Sequence, residues 1–299
     1  MAERNPSRFK YAARGGNSGA VKDGVVYGGS SACIRKAQAR HHGVNESADD
    51  TLDFRKKFVF SVGNSIEPII AERERALTGK QIDEDALLEW VSKDDPESGF
   101  TGHMDLIFVD ENGKRHTPIE HKTIQSLSRC KETMVNNGKW KEAYLYQLGK
   151  YMLYSRSKEG ILMFTMIFNS NPFKKYGESY NFRSLDSKNF YVNIREDGGL
   201  LVGESKEELE YIGIDVKDLH EHTLLTLKWL KKDEVYPFRP ELKFSDAPAC
   251  MFCPFQSTCD KVEQGQISTI KEFLTDIKES QTENDIQKQG ITVTPITIK

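Results

Sequence analysis

GHMDLIFVDENGKRHTPIEHKT, residues 102–123, decides the fold. Residues 103–109 are rich in β-branched and aromatic side chains, and Asp-Glu-Asn-Gly at 110–113 is a strong hairpin turn signal. Residues 115–123 then return as a second strand. Side chains alternate across a strand, so Glu120 and Lys122 share one face and His121 takes the other. Asp105 on the partner strand is placed to face the same cleft.

That geometry has chemical content. Two neighbouring carboxylates repel, and a cleft holds them together when a cation neutralises them; hard oxygen ligands suit Mg²⁺ or Mn²⁺. Such an ion activates water and grips phosphate, while Lys122 is suited to offset charge developing on the phosphorus centre. The His121 backbone carbonyl is a further candidate ligand. The competing reading is a pair of solvated edge strands with ordinary cross-strand charge pairing.

Upstream, FVFSVGNSIEPIIAERERAL at 58–77 reads as a helix, with Phe60, Ile66, Ile70 and Leu77 at near-helical spacing. Gly63 favours close approach to the sheet, and Glu67 is a candidate additional metal ligand or a surface acid of the first turns. Downstream, KWKEAYLYQLGKYMLYSRS at 139–157 is amphipathic, with Gln147 and Tyr151 one turn apart and Tyr144 nearby. An aromatic stripe of this kind serves core packing as readily as it serves a site.

Farther along, Cys250, Cys253 and Cys259 are spaced CxxCx5C, and Cys33 lies more than two hundred positions before them. A zinc ribbon presents two CxxC knuckles, and only one is found here. Thiolates suit both zinc and an iron–sulfur cluster. Five cysteines in 299 residues make a sparse, odd count for a disulfide framework, and Cys130 is left as an ordinary free thiol.

In order along the chain, Gly63 to Glu67, GHMD ending at Asp105, the ExK of Glu120 and Lys122, the QxxxY of Gln147 and Tyr151, and the four cysteines resemble the RecB-like branch of the PD-(D/E)xK nuclease superfamily. The likeness is greatest to its cluster-bearing exonucleases associated with CRISPR loci and their phage relatives, and it spans residues 33–259. It implies an α/β, restriction-endonuclease-like fold with a central mixed sheet flanked by helices. It further implies divalent-metal cleavage of DNA, single-stranded or at ends, and a four-iron four-sulfur (4Fe-4S) cluster on Cys33, Cys250, Cys253 and Cys259 that joins the two ends of the chain. By position, Asp105 and Glu120 would ligate Mg²⁺ or Mn²⁺, Lys122 would assist the nucleophile, and Gln147 and Tyr151 would support DNA engagement. Many members carry a histidine on the first helix where this chain offers Glu67.

Composition frames the rest. The chain is 37% hydrophobic and 29% charged, as expected of a soluble globular protein. Its longest apolar run, ILMFTMIF at 161–168, reads as a buried strand rather than a membrane span, with a shorter strand at 190–194. Residues 205–232 read as mainly helical, and the segment from about 279 as a polar tail. With no signal segment at its start, the protein reads as cytoplasmic, in a bacterial, archaeal or phage-infected cell. We expect a basic arm with the first cluster ligand over 1–50, a nuclease core over 51–245, a cysteine segment over 246–262, and a C-terminal helix and tail over 263–299.

Net charge is 42 minus 45, or −3, so DNA binding must rest on local patches. Arg35, Lys36 and Arg40, beside His41 and His42, form the best candidate, the plain alternative being a solvated helix face. Candidate partners are DNA, further copies of the chain, and recombination or CRISPR-adaptation proteins. Two other functions fit the sequence: a DNA-binding or assembly protein on a silent nuclease scaffold, and a zinc-stabilised endonuclease of the restriction type.

Overall fold

The computed structural model describes residues 24–27, 33–44, 54–124, 135–136, 139–140, 142–166, 187–238, 253 and 255–288. The expected hairpin is formed by β3 (Gly99–Val109) and β4 (Arg115–Ile124). Its turn is closed by the Asp110 side chain, whose Oδ1 accepts the Asn112 and Lys114 amides at 2.9 and 2.8 Å. Gly113 supplies the positive φ of 75° that the turn requires.

Before the hairpin come β1 (Val25–Tyr27), α1 (Ile34–His41), α2 (Phe54–Thr78) and β2 (Gln81–Val91). After it come a small pair, β5 (Val135–Asn136) and β6 (Lys139–Trp140), then α3 (Glu142–Ser155) and β7 (Glu159–Met166). The chain continues through β8 (Ser187–Ile194), β9 (Gly199–Gly203), β10 (Glu210–Asp215), α4 (Val216–Leu230), α5 (Gln256–Glu263) and α6 (Ile270–Lys288).

Eight of these strands form one mixed sheet in the order β1-β3-β4-β7-β8-β9-β10, with β2 pairing β3. β2 runs antiparallel along β3 from Gln81 opposite Val109 to Val91 opposite Gly99. The other edge of β3 is divided: β1 takes Gly99–Thr101 in parallel, and β4 takes Leu106–Val109 antiparallel. Residues 102–105 of β3 lie between these two partners. β4 then runs parallel to β7, from Ile119 opposite Ile161 to Ile124 opposite Met166. Pro118 sits just before that second pairing starts, where a missing N–H costs no ladder bond on the β7 side.

Alternation explains which helix covers which face. Ile119, Ile161 and Met163 pack with Ile66 and Ile70 of α2, whereas Leu162 and Phe164 pack with Leu145, Leu148 and Met152 of α3. A third cluster joins Ala37 of α1 and Leu227 and Leu230 of α4 to Phe100, Met104, Tyr151 and Tyr154. A fourth sets Ala39 and Val44 against Phe255, Ile270, Phe273 and Ile277, so the C-terminal helices close on α1. Among the described residues no helix is long and apolar enough to cross a membrane.

Three expectations change. The helix expected within residues 205–232 occupies only Val216–Leu230, and Glu210–Asp215 before it is a strand. Only Ile212 and Ile214 of that strand are buried, a short alternation easily hidden among charges. Leu77 is 73% exposed, and among the described side chains of α2 the buried apolar ones are Ile66, Ile70 and Ala71. The polar stretch after Glu279 continues as α6 to Lys288. Residues 1–23 of the expected basic arm, Cys130 and Cys250 lie outside the described residues.

Candidate active site

The site gathers at the division of the β3 edge. Leu106 pairs with Ile119, so Asp105 and Glu120 stand opposite each other as the two strands part. The Asp105 carboxylate bridges the opening: its Oδ2 accepts the His121 amide at 2.8 Å. Glu120 is fully buried on the α3 face, and one of its oxygens accepts from the Lys122 ammonium. That ammonium lies 3.9 Å from Asp105 Oδ2 and 3.1 Å from the His121 carbonyl. It also stands 5.5 Å from the centre of the Tyr144 ring.

The electrostatics follow from burial and proximity. Desolvation raises the Glu120 carboxyl, the Asp105 and Glu67 charges push it further up, and Lys122 opposes them. Asp105 is raised by burial as well, with Lys122 and the His121 amide pulling back. Burial works against the Lys122 charge, but Glu120 and Asp105 outweigh it and hold the amine protonated. Lys122 is thus the internal counter-ion of two carboxylates that share one charge cavity.

His121 presents two functions on two faces. Its backbone closes the site, and its imidazole, 5% exposed, points the other way, toward the α2 side. Burial, then Lys122 and Arg73, depress that ring to about 4, so it is neutral. Glu67 is half-buried on α2 and acts on Glu120 through its charge.

Over the opening lies Tyr151, 2% exposed, with its hydroxyl accepting from Gln147 Nε2 at 3.1 Å. The ring rests on Gly102: a Cβ there would come within 2.5 Å of Tyr151 Cε1 and 2.9 Å of its hydroxyl. Burial, then the Glu120 charge, raises the Tyr151 phenol well above its usual range. It is a neutral hydroxyl aimed at an acidic cleft.

The basic candidates separate. Arg40 lies over the Tyr27 ring at 4.3 Å, and its charge reaches Tyr151, which puts it at the β1 side of the opening. Arg35 is not available to DNA: at 1% exposure it donates to the carbonyls of Tyr236 at 2.7 Å, Pro237 at 2.6 Å and Cys259 at 3.3 Å, and meets Glu263 at 3.5 Å. The periodicity that places a cation on a helix does not say whether the opposing surface is water or carbonyl oxygen. Lys36 is drawn down by burial and sustained by the Cys253 and Cys33 thiols. Through Lys36 and Arg35, the start of α1 therefore meets the cysteine segment.

The fit to a divalent ion rests on one atom. Among the described residues the buried Glu120 Oε2 has no hydrogen-bond partner, an acceptor left over after Oε1 meets Lys122. Asp105 beside it, and Glu67 on α2, whose charge reaches Glu120, are the oxygens that would complete a hard donor set. Among the described residues no three Asp, Glu, His or Cys side chains already converge closely enough to hold a metal ion. With the Lys122 ammonium bonded to Glu120, an ion has to compete with Lys122 for that carboxylate.

Two features leave no mark in any isolated motif. Gly102 is required by the Tyr151 ring, a demand visible only once β3 and α3 are packed. The Lys150 amine, fully buried, lies 3.3 Å from His222 Nδ1 between α3 and α4.

No protein-family model matches the chain, and no curated protein does. Among solved structures, it is similar to the crystal structure of SSO0001, with a TM-score of 0.43 and 13% identity over 81% of this chain and 89% of that one. It is also similar to an alkaline exonuclease (LHK-Exo) from Laribacter hongkongensis, with a TM-score of 0.41 and 15% identity over 71% and 90% of the two chains. At these scores neither likeness fixes the chemistry of this chain.

Proposed function

We propose that the protein is a divalent-metal-dependent deoxyribonuclease acting on single-stranded DNA or DNA ends. The observation that carries this reading is the arrangement of Asp105, Glu120 and Lys122 at the divided edge of β3, with a buried Glu120 oxygen that has no hydrogen-bond partner among the described residues. A scaffold without chemistry gains nothing by burying two like charges together.

Asp105, Glu120 and Glu67 would hold Mg²⁺ or Mn²⁺, with the His121 carbonyl at hand, and the ion would lower the pKa of water and draw in the phosphate. The protein's own groups do the rest. Lys122, held protonated, faces the charge that builds on the non-bridging oxygens as water adds to phosphorus in line with the departing 3′ or 5′ oxygen. The attacking water gives up a proton to solvent, the departing oxygen takes one from solvent, and the old P–O bond breaks as the new one forms. Gln147 fixes the Tyr151 hydroxyl, and Tyr151 on Gly102 closes one wall of the cleft.

For the cysteines we propose a 4Fe-4S cluster with a structural role. What supports it is the meeting of α1 with the cysteine segment, where Lys36 is within charge range of both Cys33 and Cys253 and Arg35 binds the Cys259 carbonyl. The test of function is cleavage of end-labelled linear and circular DNA by anaerobically purified protein with Mg²⁺, Mn²⁺ or EDTA. Metal-dependent loss of linear DNA that fails in Lys122→Ala is expected. Equal cutting by Lys122→Ala would remove the catalytic assignment.

A further inference from the structure

Two interior-facing side chains of α1 hold a partly exposed strip of chain in place. Gln38, fully buried, donates to the carbonyls of Trp229 and Glu234, each at 2.9 Å, and accepts the Tyr236 amide at 2.9 Å. Arg35 adds the Tyr236 and Pro237 carbonyls. Burying two polar side chains is tolerated when their hydrogen bonds are made, and here those bonds fix the backbone from Trp229 to Pro237.

What this backbone carries outward is aromatic. The Trp229 and Tyr236 rings meet edge to face at 5.1 Å and 79°, and Tyr236 and Phe238 at 5.7 Å and 74°. Phe238, at the outer end, is 62% exposed. The Lys232 ammonium lies 3.8 Å from the Trp229 ring centre, and Lys228 is exposed one residue before that ring. Lys231 is committed to Asp95, and Asp233 and Glu234 are the acids of the segment. Leu227 and Leu230, on either side of Lys228 and Trp229, pack in the same core as Tyr151, so the helix that leads into the strip is braced against the candidate active site.

We propose that Trp229, Tyr236 and Phe238, with Lys232 and Lys228, form a stacking platform for the unpaired strand of the DNA substrate. Phe238 offers its exposed ring to a base, and Lys232 over the Trp229 ring and Lys228 next to it in the chain meet the backbone. A duplex hides the faces of its bases, whereas an unpaired strand presents them, and stacking beside cations is how proteins hold such strands without reading sequence. The proposal rests on the nuclease reading and names the substrate feature that the enzyme grips.

The test is equilibrium binding in EDTA, which stops cutting, of a labelled oligothymidine and a blunt hairpin of the same length. Wild type is compared with Phe238→Ala and Lys232→Gln, whose thermal midpoints report that the fold is kept. Phe238→Ala is expected to lose roughly tenfold in affinity for the single strand and little for the hairpin. Lys232→Gln should lose affinity and also flatten its salt dependence. Unchanged single-strand affinity in both variants, with metal-dependent cutting by wild type intact, overturns the platform and leaves the nuclease standing. An equal loss for strand and hairpin overturns the assignment to unpaired DNA. Phe238-dependent binding without any metal-dependent cutting supports the platform and removes the nuclease reading.

Discussion

Glu120 is where the conflict between folding and function is sharpest. Its carboxyl is raised in the folded protein, so over a window above its ordinary 4.5 the native state binds more protons than the unfolded chain. Stability therefore falls as pH climbs through that window. Glu120→Gln keeps the shape and removes the charge. We expect it to raise the thermal midpoint of the metal-free protein at pH 7 and above, by an amount on the order of a few kcal/mol at most, and to abolish cleavage. Added Mg²⁺ should raise the midpoint of wild type and not of the variant. Thermal melts at several pH values with and without Mg²⁺ check this, and a lower midpoint for Glu120→Gln at high pH would contradict it. Lys122→Ala deletes the counter-ion while leaving both acids, so it should lower both stability and rate, the latter by about a hundredfold or more. Single-turnover cleavage measures that loss.

At the scale of elements, the approach of α3 to β3 depends on Gly102. A methyl group there would stand 2.5 Å from the Tyr151 ring, and that ring is buried. Gly102→Ala should cost about 1 to 3 kcal/mol by overpacking and depress activity by moving the Tyr151 hydroxyl. Denaturant melts and cleavage assays read the two effects separately, and Tyr151→Phe should lower activity with little loss of stability. The α3–α4 contact carries a different strain. Burial lowers the Lys150 amine from 10.5 to about 7, and burial, with Lys150 beside it, takes His222 down to about 3. Between pH 7 and 10.5 the unfolded chain binds more protons at Lys150 than the native one, so stability rises with pH across that window. Lys150→Met should raise the midpoint at neutral pH and flatten that rise. An unaltered pH profile in the variant would show that Lys150 is charged in the native state.

Across the whole molecule, what was legible was local. The hairpin announced itself through Asp110 to Gly113, and the shared face of Glu120 and Lys122 follows from strand alternation alone. The run Ile161 to Met166 reads as a buried strand because it is paired on both edges, by β4 and β8. The illegible part depends on what another element brings. Arg35 looks like any surface cation until the carbonyls of residues 236, 237 and 259 surround it, and β10 looks helical until β9 pairs with it. Gly102 and Lys150 are likewise set by the packing of α3, which no spacing in their own segments records.

The long-range tie made by Arg35 sets how the two ends of the chain depend on each other. Its guanidinium binds carbonyls more than two hundred positions away, and α1 packs Ala39 against Phe255 and Phe273. Arg35→Ala would leave the Tyr236, Pro237 and Cys259 carbonyls without this donor, a loss of about 3 to 5 kcal/mol on the pattern of a broken buried polar network. Because the sheet core is built from other residues, the damage should concentrate in α1, α5 and α6. Amide hydrogen exchange is expected to show faster exchange there than in β3, β4 and β7. Cys33→Ala acts at the same junction, so if the cysteines hold a cluster it should reproduce that exchange pattern and also bleach the brown absorption of the anaerobic protein. Arg35→Ala should keep the cysteines, lose order, and lose the cluster only as the junction opens. Uniform acceleration across the sheet in both variants would mean that the two ends fold as one unit with the core rather than as a clasp around it.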